Sequence, residues 1–536
     1  MKLNYHKLFL FFVVITNIAF NSVSVGKLHA NEPEYLTHEE RLEDYNHLHD
    51  ILSKHYPYFW LKRRLGYESW ENKQEDYVKL FKNALTRYDY YIAVNEMLSG
   101  LHSWHASIMS ARSIDSMFDL EEAYAWKDIL IDAKDDKDIW NEIGGEVWKQ
   151  WFSLQSFYLS GAYYLSSELK MKDGIHIPCM TKVVAIDGTP LNDFIDKSID
   201  KLYLHRDYES HEVFVENLFD VFNTSDSVAI TFEGYDSSVI VDEQDIEEVN
   251  GCAYHMQLND DNINFAMIDN QVGYVRINSF RYDHIENDMI KMDSIVNEIK
   301  GAEYLILDIR GNQGGSIGYW QDVAIKKLTS DDISVDFYIA YKAGEYIAPF
   351  IEEEEGFLGP KVDNELYPQN IPFEVRFGIL DSVKVINYDV SGKSQLDMEK
   401  VYLLVDRNVY SSAEAFAAFS KVTGFATLVG ERTGGDGIGI GLIPIVLPNS
   451  KMAVRFPCDM GLDADGRSSE EFRTEPDIKT TWTPKDWQRR HEYIKSSKLE
   501  GHDILKEVLT KYDPDVRAVF EDIKIREGTR SRFVSR

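Results

Sequence analysis

The sequence is poor in cysteine, short of positive charge, and without a long apolar run beyond its first 20 residues. Each shortage excludes a class of protein. Only three cysteines, Cys179, Cys252 and Cys458, occur in 536 residues, odd in number and far apart. They describe neither a disulfide framework nor a zinc site and read as buried free thiols. Lysine and arginine together number 57 against 90 aspartates and glutamates, a formal net charge of -33. Phosphate recognition needs clustered cations, so nucleic acid and anionic membrane surfaces are disfavoured as partners. Past Phe20 no segment reaches the roughly 20 apolar residues of a spanning helix, so no integral membrane domain is expected after the N-terminus. The glycine-rich stretches lack the Gly-Lys-Ser/Thr ending of a P-loop and the spacing of a dinucleotide fingerprint, which argues against nucleotide.

What is present begins with an export signal. Lys2 and Lys7 precede an apolar stretch from Leu8 to Phe20, and Ala30 fits the end of a cleavage site. Residues 1–30 therefore read as a secretory signal, and the expected location is secreted or extracytoplasmic. Thr16 and Asn17 interrupt the stretch, favouring a cleaved signal over a retained anchor.

The remaining chain is too long for one core, and its patterning divides it. Helical spacing of Leu48, Ile51 and Leu52, and of Ala93, Met97 and Leu101, predicts an N-terminal helical domain over 31–110. The aromatic and acidic stretch 111–173 has no clear period and is read as a connecting region. From Gly174 short β-runs, including Lys182 to Ile186 closed by Asp187-Gly188, predict a β module over 174–250. Its string Thr181 to Pro190 resembles the strand and turn of PDZ-like modules, which bind extended peptide ends; an ordinary hairpin reads the same way. An alternating strand at 271–280, one apolar helical face through Ile285, Met289, Met292, Val296 and Ile299, and the buried run Tyr304 to Ile309 make a βαβ crossover. Val401 to Val405 followed by an alanine-rich helix repeats it. The fold class is α/β, with a core over 251–500 and a C-terminal helical segment over 501–536.

Two strings carry chemistry. Asp308-Ile-Arg-Gly-Asn-Gln-Gly-Gly-Ser316 is a glycine turn at the end of a buried strand, suited to holding an anion or oxyanion on backbone N–H groups, or simply to turning tightly. Asp406-Arg-Asn-Val-Tyr-Ser-Ser-Ala-Glu414 runs from strand into helix. A serine there is either a helix cap or a nucleophile flanked by helix-terminal N–H groups.

These strings, with Val272 to Phe280, Leu428-Val-Gly-Glu-Arg-Thr-Gly434 and Glu475-Pro-Asp-Ile478, stand in the order seen in the C-terminal-processing, or tail-specific, peptidases. The resemblance covers about 270 to 480. It implies a ClpP/crotonase-like core, an inserted PDZ-like module and a serine-type endopeptidase without metal or organic cofactor. The implied substrate is a polypeptide, held through its C-terminus where the module works as in the family.

One branch of the family uses a Ser-Lys dyad; here Asp436, in Thr433-Gly-Gly-Asp-Gly437, stands where that lysine would be. The other branch, which includes the tricorn protease core, adds a histidine and a glutamate. The resemblance then implies Ser411 as nucleophile, His105 as base, Glu470 as its orienting acid with Glu471 one register away, and Gly314, Gly315 and Ser412 as oxyanion donors. Ser103 and Trp104 replace the Asp-Gly pair that usually precedes the histidine. His102 and His105 could also be half a zinc site, or His105 a buried structural histidine. The rival function is an inactive peptide- or ligand-binding protein on the same scaffold, and an esterase would use the same groups.

Overall fold

In the computed structural model the described residues are 35–149, 156–198, 205–206, 213–214, 227–241, 246–251, 261–393, 396 and 399–534. The expected signal at 1–30 and Cys252 lie outside them. No helix among the described residues is long and apolar enough to cross a membrane.

The N-terminal part is helical because its caps and apolar stripes agree. Thr37 and Glu40 form a capping box on His38–His55, and Thr86 and Asp89 do the same for Arg87–Ser99. The expected apolar positions, among them Leu48, Leu52, Met97 and Leu101, are buried. Three further helices, Ala111–Asp119, Tyr124–Leu130 and Lys137–Lys149, occupy most of the stretch read as a connector. Its aromatics point inward: the Trp126 indole donates to the Leu442 carbonyl at 2.8 Å and meets Phe350 edge-on at 4.7 Å. One continuous apolar core joins these helices to residues as late as Leu462, so they are one wall of the main body.

The β module has its own core, built on Leu165, Leu169, Ile177, Val183, Ile186 and Ile230. One sheet takes Ser156–Leu159, Ala162–Leu165, Lys182–Ile186, Val228–Phe232 and Val239–Val241; the other takes Ser167–Met171, His176–Ile177 and Ile246–Gly251. The module thus starts at Ser156, ahead of the expected Gly174. Strands of four or five residues whose faces are both largely buried give no alternation to read. The expected turn is present, with positive φ of 47° at Asp187 and 73° at Gly188. Cys179 is disulfide-bonded, which overturns the free-thiol reading there, whereas Cys458 is free and buried.

The main sheet runs Ile263–Met267, Val272–Ile277, Tyr304–Asp308, Lys400–Val405, Thr427–Gly430 and Ile478–Lys479; the first pair is antiparallel and the rest parallel. The βαβ crossover is present, with helix Ile285–Glu298 burying Met292 and Ile295. Inserted residues build a four-stranded sheet of Leu358–Lys361, Ser382–Ser391, Asp332–Tyr341 and Asp459–Leu462. A third sheet pairs Ser107–Ile108 with Ala453–Pro457, which fixes the segment just after His105 to the main body.

Helices Gly501–Tyr512 and Pro514–Val534 close the other face, with Leu505, Val516 and Val519 against Tyr274, Tyr304 and Tyr402. They are clamped by Arg310, whose buried guanidinium donates to Asp308 at 2.9 and 2.6 Å, to Asp513 at 3.2 and 3.0 Å and to Asp515 at 2.6 Å. Removing it would leave three buried carboxylates with only Arg276, 3.2 Å from Asp308, and Arg490, 3.9 Å from Asp513, to offset them. Arg310→Ala is expected to cost about 3–5 kcal/mol, seen as a lower thermal midpoint by circular dichroism.

Candidate active site

Strands Tyr304–Asp308 and Lys400–Val405 are parallel neighbours, so the turns leaving their carboxyl ends meet. Asp406 ties them, its Oδ1 accepting from the Gly311 amide at 2.9 Å and the Asn408 amide at 3.0 Å. Tyr410 N–H donates to the Asn312 carbonyl at 3.2 Å. The contact is close enough to require glycine. A Cβ on Gly314, which has φ 95°, would stand 2.7 Å from the Ser412 nitrogen and 2.9 Å from Ser411 Cβ. One on Gly315 would stand 2.3 Å from the Phe280 carbonyl oxygen. The tight-turn reading of this string therefore holds.

Ser411 precedes helix Ser412–Thr423 in a strained conformation, φ 56° and ψ -132°, and its side chain makes no cap hydrogen bond. The helix-cap reading fails. A non-glycine residue at such angles costs on the order of 1–3 kcal/mol and is characteristic of nucleophile turns. Of the three expected oxyanion donors, the Gly314 amide is engaged by Asn312 Oδ1 at 2.8 Å. Among the described residues the Gly315 and Ser412 amides donate to no protein oxygen.

His105 comes from the loop between helix Arg87–Ser99 and strand Ser107–Ile108 and is buried. Its ring lies 4.6 Å from that of Tyr410, the residue before Ser411. It lines one cleft of about 550 Å³ together with Ser411, although no hydrogen bond joins Ser411 Oγ to the imidazole. Such bonds are often long in unliganded sites.

The acid on His105 differs from the expected one. Nδ1 donates to Asp436 Oδ2 at 2.8 Å, both side chains being buried. A carboxylate can only accept, so Nδ1 is the protonated donor of this contact. Burial by itself would raise the Asp436 carboxyl, but His105, the Tyr58 hydroxyl and Lys62 outweigh it and hold the group below its ordinary value. Tyr58 donates to Asp436 Oδ1 at 2.5 Å and Tyr410 to Oδ2 at 3.4 Å. Glu470 is instead held by Lys62, Nζ to Oε1 2.5 Å, in a nearly buried pair. Burial raises its carboxyl, Lys62 opposes this and Asp436 adds to it. Glu471 is paired with Arg64 at 2.7 Å. Both candidate glutamates are thus bound to the short helix Phe59–Arg64. Among the described residues no cluster of histidine, cysteine and carboxylates could hold a metal, and His102 stacks on Tyr67 at 4.2 Å.

Asp436 reaches the imidazole because its loop is pressed onto the serine turn. Ser411 N–H donates to the Gly435 carbonyl at 3.2 Å, and a Cβ on Gly437 would stand 2.4 Å from the Ser411 oxygen. Sequence reading located this loop but took Asp436 only as the loss of a lysine. Tyr58 and Lys62 carried no local signal, since their role depends on partners hundreds of residues away.

Glu414, on the first turn after Ser411, is fully buried and accepts from Thr474 Oγ1 at 2.7 Å. Burial, against hydrogen bonds from Thr433 and Thr474, lifts its carboxyl from 4.5 to about 7. The folded state then holds a proton that the unfolded chain releases, so this group lowers stability progressively as pH rises from 4.5 to about 7. Glu414→Gln is expected to gain stability relative to the parent across that window, as read from thermal midpoints against pH.

Residues 271–480 match the profile of Peptidase family S41. No curated protein sequence matches the chain. Among solved structures, mature CPAF is 14% identical, covers 85% of this chain and 96% of its own, and gives a TM-score of 0.51. The photosystem II D1 C-terminal processing protease is 16% identical, with coverage of 83% and 94% and a TM-score of 0.39. The tricorn protease is 14% identical, with coverage of 88% and 37% and a TM-score of 0.34. The first likeness supports the fold; the other two are too distant in shape to bear on the argument. Over residues 271–480 the chain therefore carries a Peptidase family S41 domain, which supports a serine-type peptidase.

Proposed function

We propose that the chain is an exported serine endopeptidase in which Ser411 attacks a peptide carbonyl, His105 is the base and Asp436, in place of Glu470, orients it. The observation that carries this reading is the buried His105–Asp436 hydrogen bond in the same cleft as a strained Ser411. A serine hydroxyl is a weak nucleophile until a neighbour takes its proton. With Nδ1 committed to a carboxylate, Nε2 is the atom that accepts the Ser411 proton, and Asp436 stabilises the imidazolium that results. The proton then passes to the leaving amine. The amides of Gly315 and Ser412 serve the oxyanion, each such donor contributing about 10² to 10³ in rate. Glu470 and Lys62 act behind Asp436 as a neutralised pair. Acyl transfer of this kind needs no metal.

Export rests on the sequence of residues 1–30 and is supported by the Cys179 disulfide, since such bonds persist in oxidising compartments. The β module remains the candidate peptide-end binder. The lack of a bond between Ser411 Oγ and His105 favours a second reading, a ligand-binding protein with an idle site.

Labelling with a fluorophosphonate separates the two. Ser411 is expected to be labelled in the parent and not in Ser411→Ala, which should remain folded. Asp436→Asn is expected to slow labelling about 10²- to 10⁴-fold, the usual worth of a positioned acid–base system, and Glu470→Gln much less. A folded protein that leaves the probe untouched establishes the binding reading, and equal losses in the two acid variants return Glu470 to the site.

A further inference from the structure

We propose that the cleft beside Ser411 takes a cationic side chain of the substrate, a lysine or arginine next to the scissile bond, and that Asp459 selects it. The proposal rests on the peptidase reading above and adds a substrate class to it. Asp459 begins strand Asp459–Leu462 and lines the cleft that holds Ser411 and His105. It is 3% exposed, and its Oδ2 accepts from the Ile440 amide at 3.2 Å. The opposite wall, Gly437-Ile-Gly-Ile-Gly441, is cut back to admit it: a Cβ on Gly439 would stand 2.9 Å from that oxygen.

A second carboxylate, Glu354, lines the same cleft from the inserted region, and Phe357 and Leu442 supply apolar surface. Such a wall suits the methylene stem of a lysine or arginine, with the charge carried to the acidic end. Among the described residues no lysine or arginine lines the cleft, and the histidine that does, His105, is bonded to Asp436. The ionisable groups that act most strongly on Asp459 or feel it include Asp436, Tyr58, Tyr341, Tyr388 and Cys458, none of them cationic. Burial, with Asp436 adding to it, lifts the Asp459 carboxyl to about 8. An arriving ammonium or guanidinium reverses that balance, so the carboxyl gives up its proton and the pair forms within a low-dielectric wall.

The test uses peptidyl diphenyl phosphonates identical except for a lysine, leucine, glutamine or glutamate side chain at the reacting residue, with labelling of Ser411 as the readout. The lysine reagent is expected to react about 10- to 100-fold faster than the leucine one, the worth of a charge-assisted contact. Asp459→Asn should bring that ratio near one, and Asp459→Ser serves if the asparagine variant does not fold. Equal or faster reaction of the leucine, glutamine or glutamate reagent in the parent overturns the proposal, as does a lysine preference that survives both substitutions. An unselective fluorophosphonate run beside the series distinguishes failure of this proposal from failure of the peptidase reading. If that reagent does not label Ser411, binding of the corresponding lysine and leucine peptides to Ser411→Ala, by fluorescence anisotropy, decides the selectivity by the same ratio.

Discussion

The geometry of the candidate site depends on one buried carboxylate. Asp436 sits fully inside the protein, where an unpaired charge would be expelled or protonated. It stays ionised because His105 and Tyr58 bond its two oxygens and Lys62 lies near. All three come from the first third of the chain, while Asp436 comes from the last. The charge therefore cannot be satisfied unless the helical wall is packed on the sheet. Assembly of the core and assembly of the site are the same event, which explains why the helices share one continuous core with the sheet.

The second constraint is steric. Parallel strands at 304–308 and 400–405 bring two turns to one edge, where Gly314 lets them touch without clash, while Gly315 makes room for Phe280 and Gly437 for Ser411. Ser411 stands at positive φ there, and among the described residues the Gly315 and Ser412 amides have no protein acceptor. Strain and unsatisfied donors in a buried turn are costly, and the Arg310 anchor to Asp513 and Asp515 on the far face helps hold the turn in place. A site fixed by packing on both sides has little freedom to rearrange.

The site is also unusually acidic. Asp436, Asp459, Glu354, Glu414 and Glu470 are all buried or nearly so around Ser411, with Lys62 paired to Glu470 and Arg473 acting on Glu414 and Glu470. Their neighbours divide them into two groups. Asp436 is held low by its partners, whereas Asp459 and Glu414 are pushed up by burial. One carboxylate is thereby kept charged beside His105, whereas Asp459 and Glu414 are shifted toward their neutral forms.

Much of this was legible in the sequence, and the limit has a physical cause. Local patterns determined the helical start, the βαβ crossover with its buried strand Tyr304–Asp308, the Asp187-Gly188 turn and the two chemical strings, because spacing and glycine chemistry act over a few residues. The order of the strings pointed to Ser411 and His105 as members of one site. The tertiary structure decided which acid meets the imidazole. Glu470 and Asp436 both lie within reach of the site, and the choice fell to Lys62, which neutralises the first and leaves the second to His105. It also decided that the module begins at Ser156 and that Cys179 is bonded. Those outcomes depend on which distant groups share a low-dielectric interior, and a linear pattern carries no term for that.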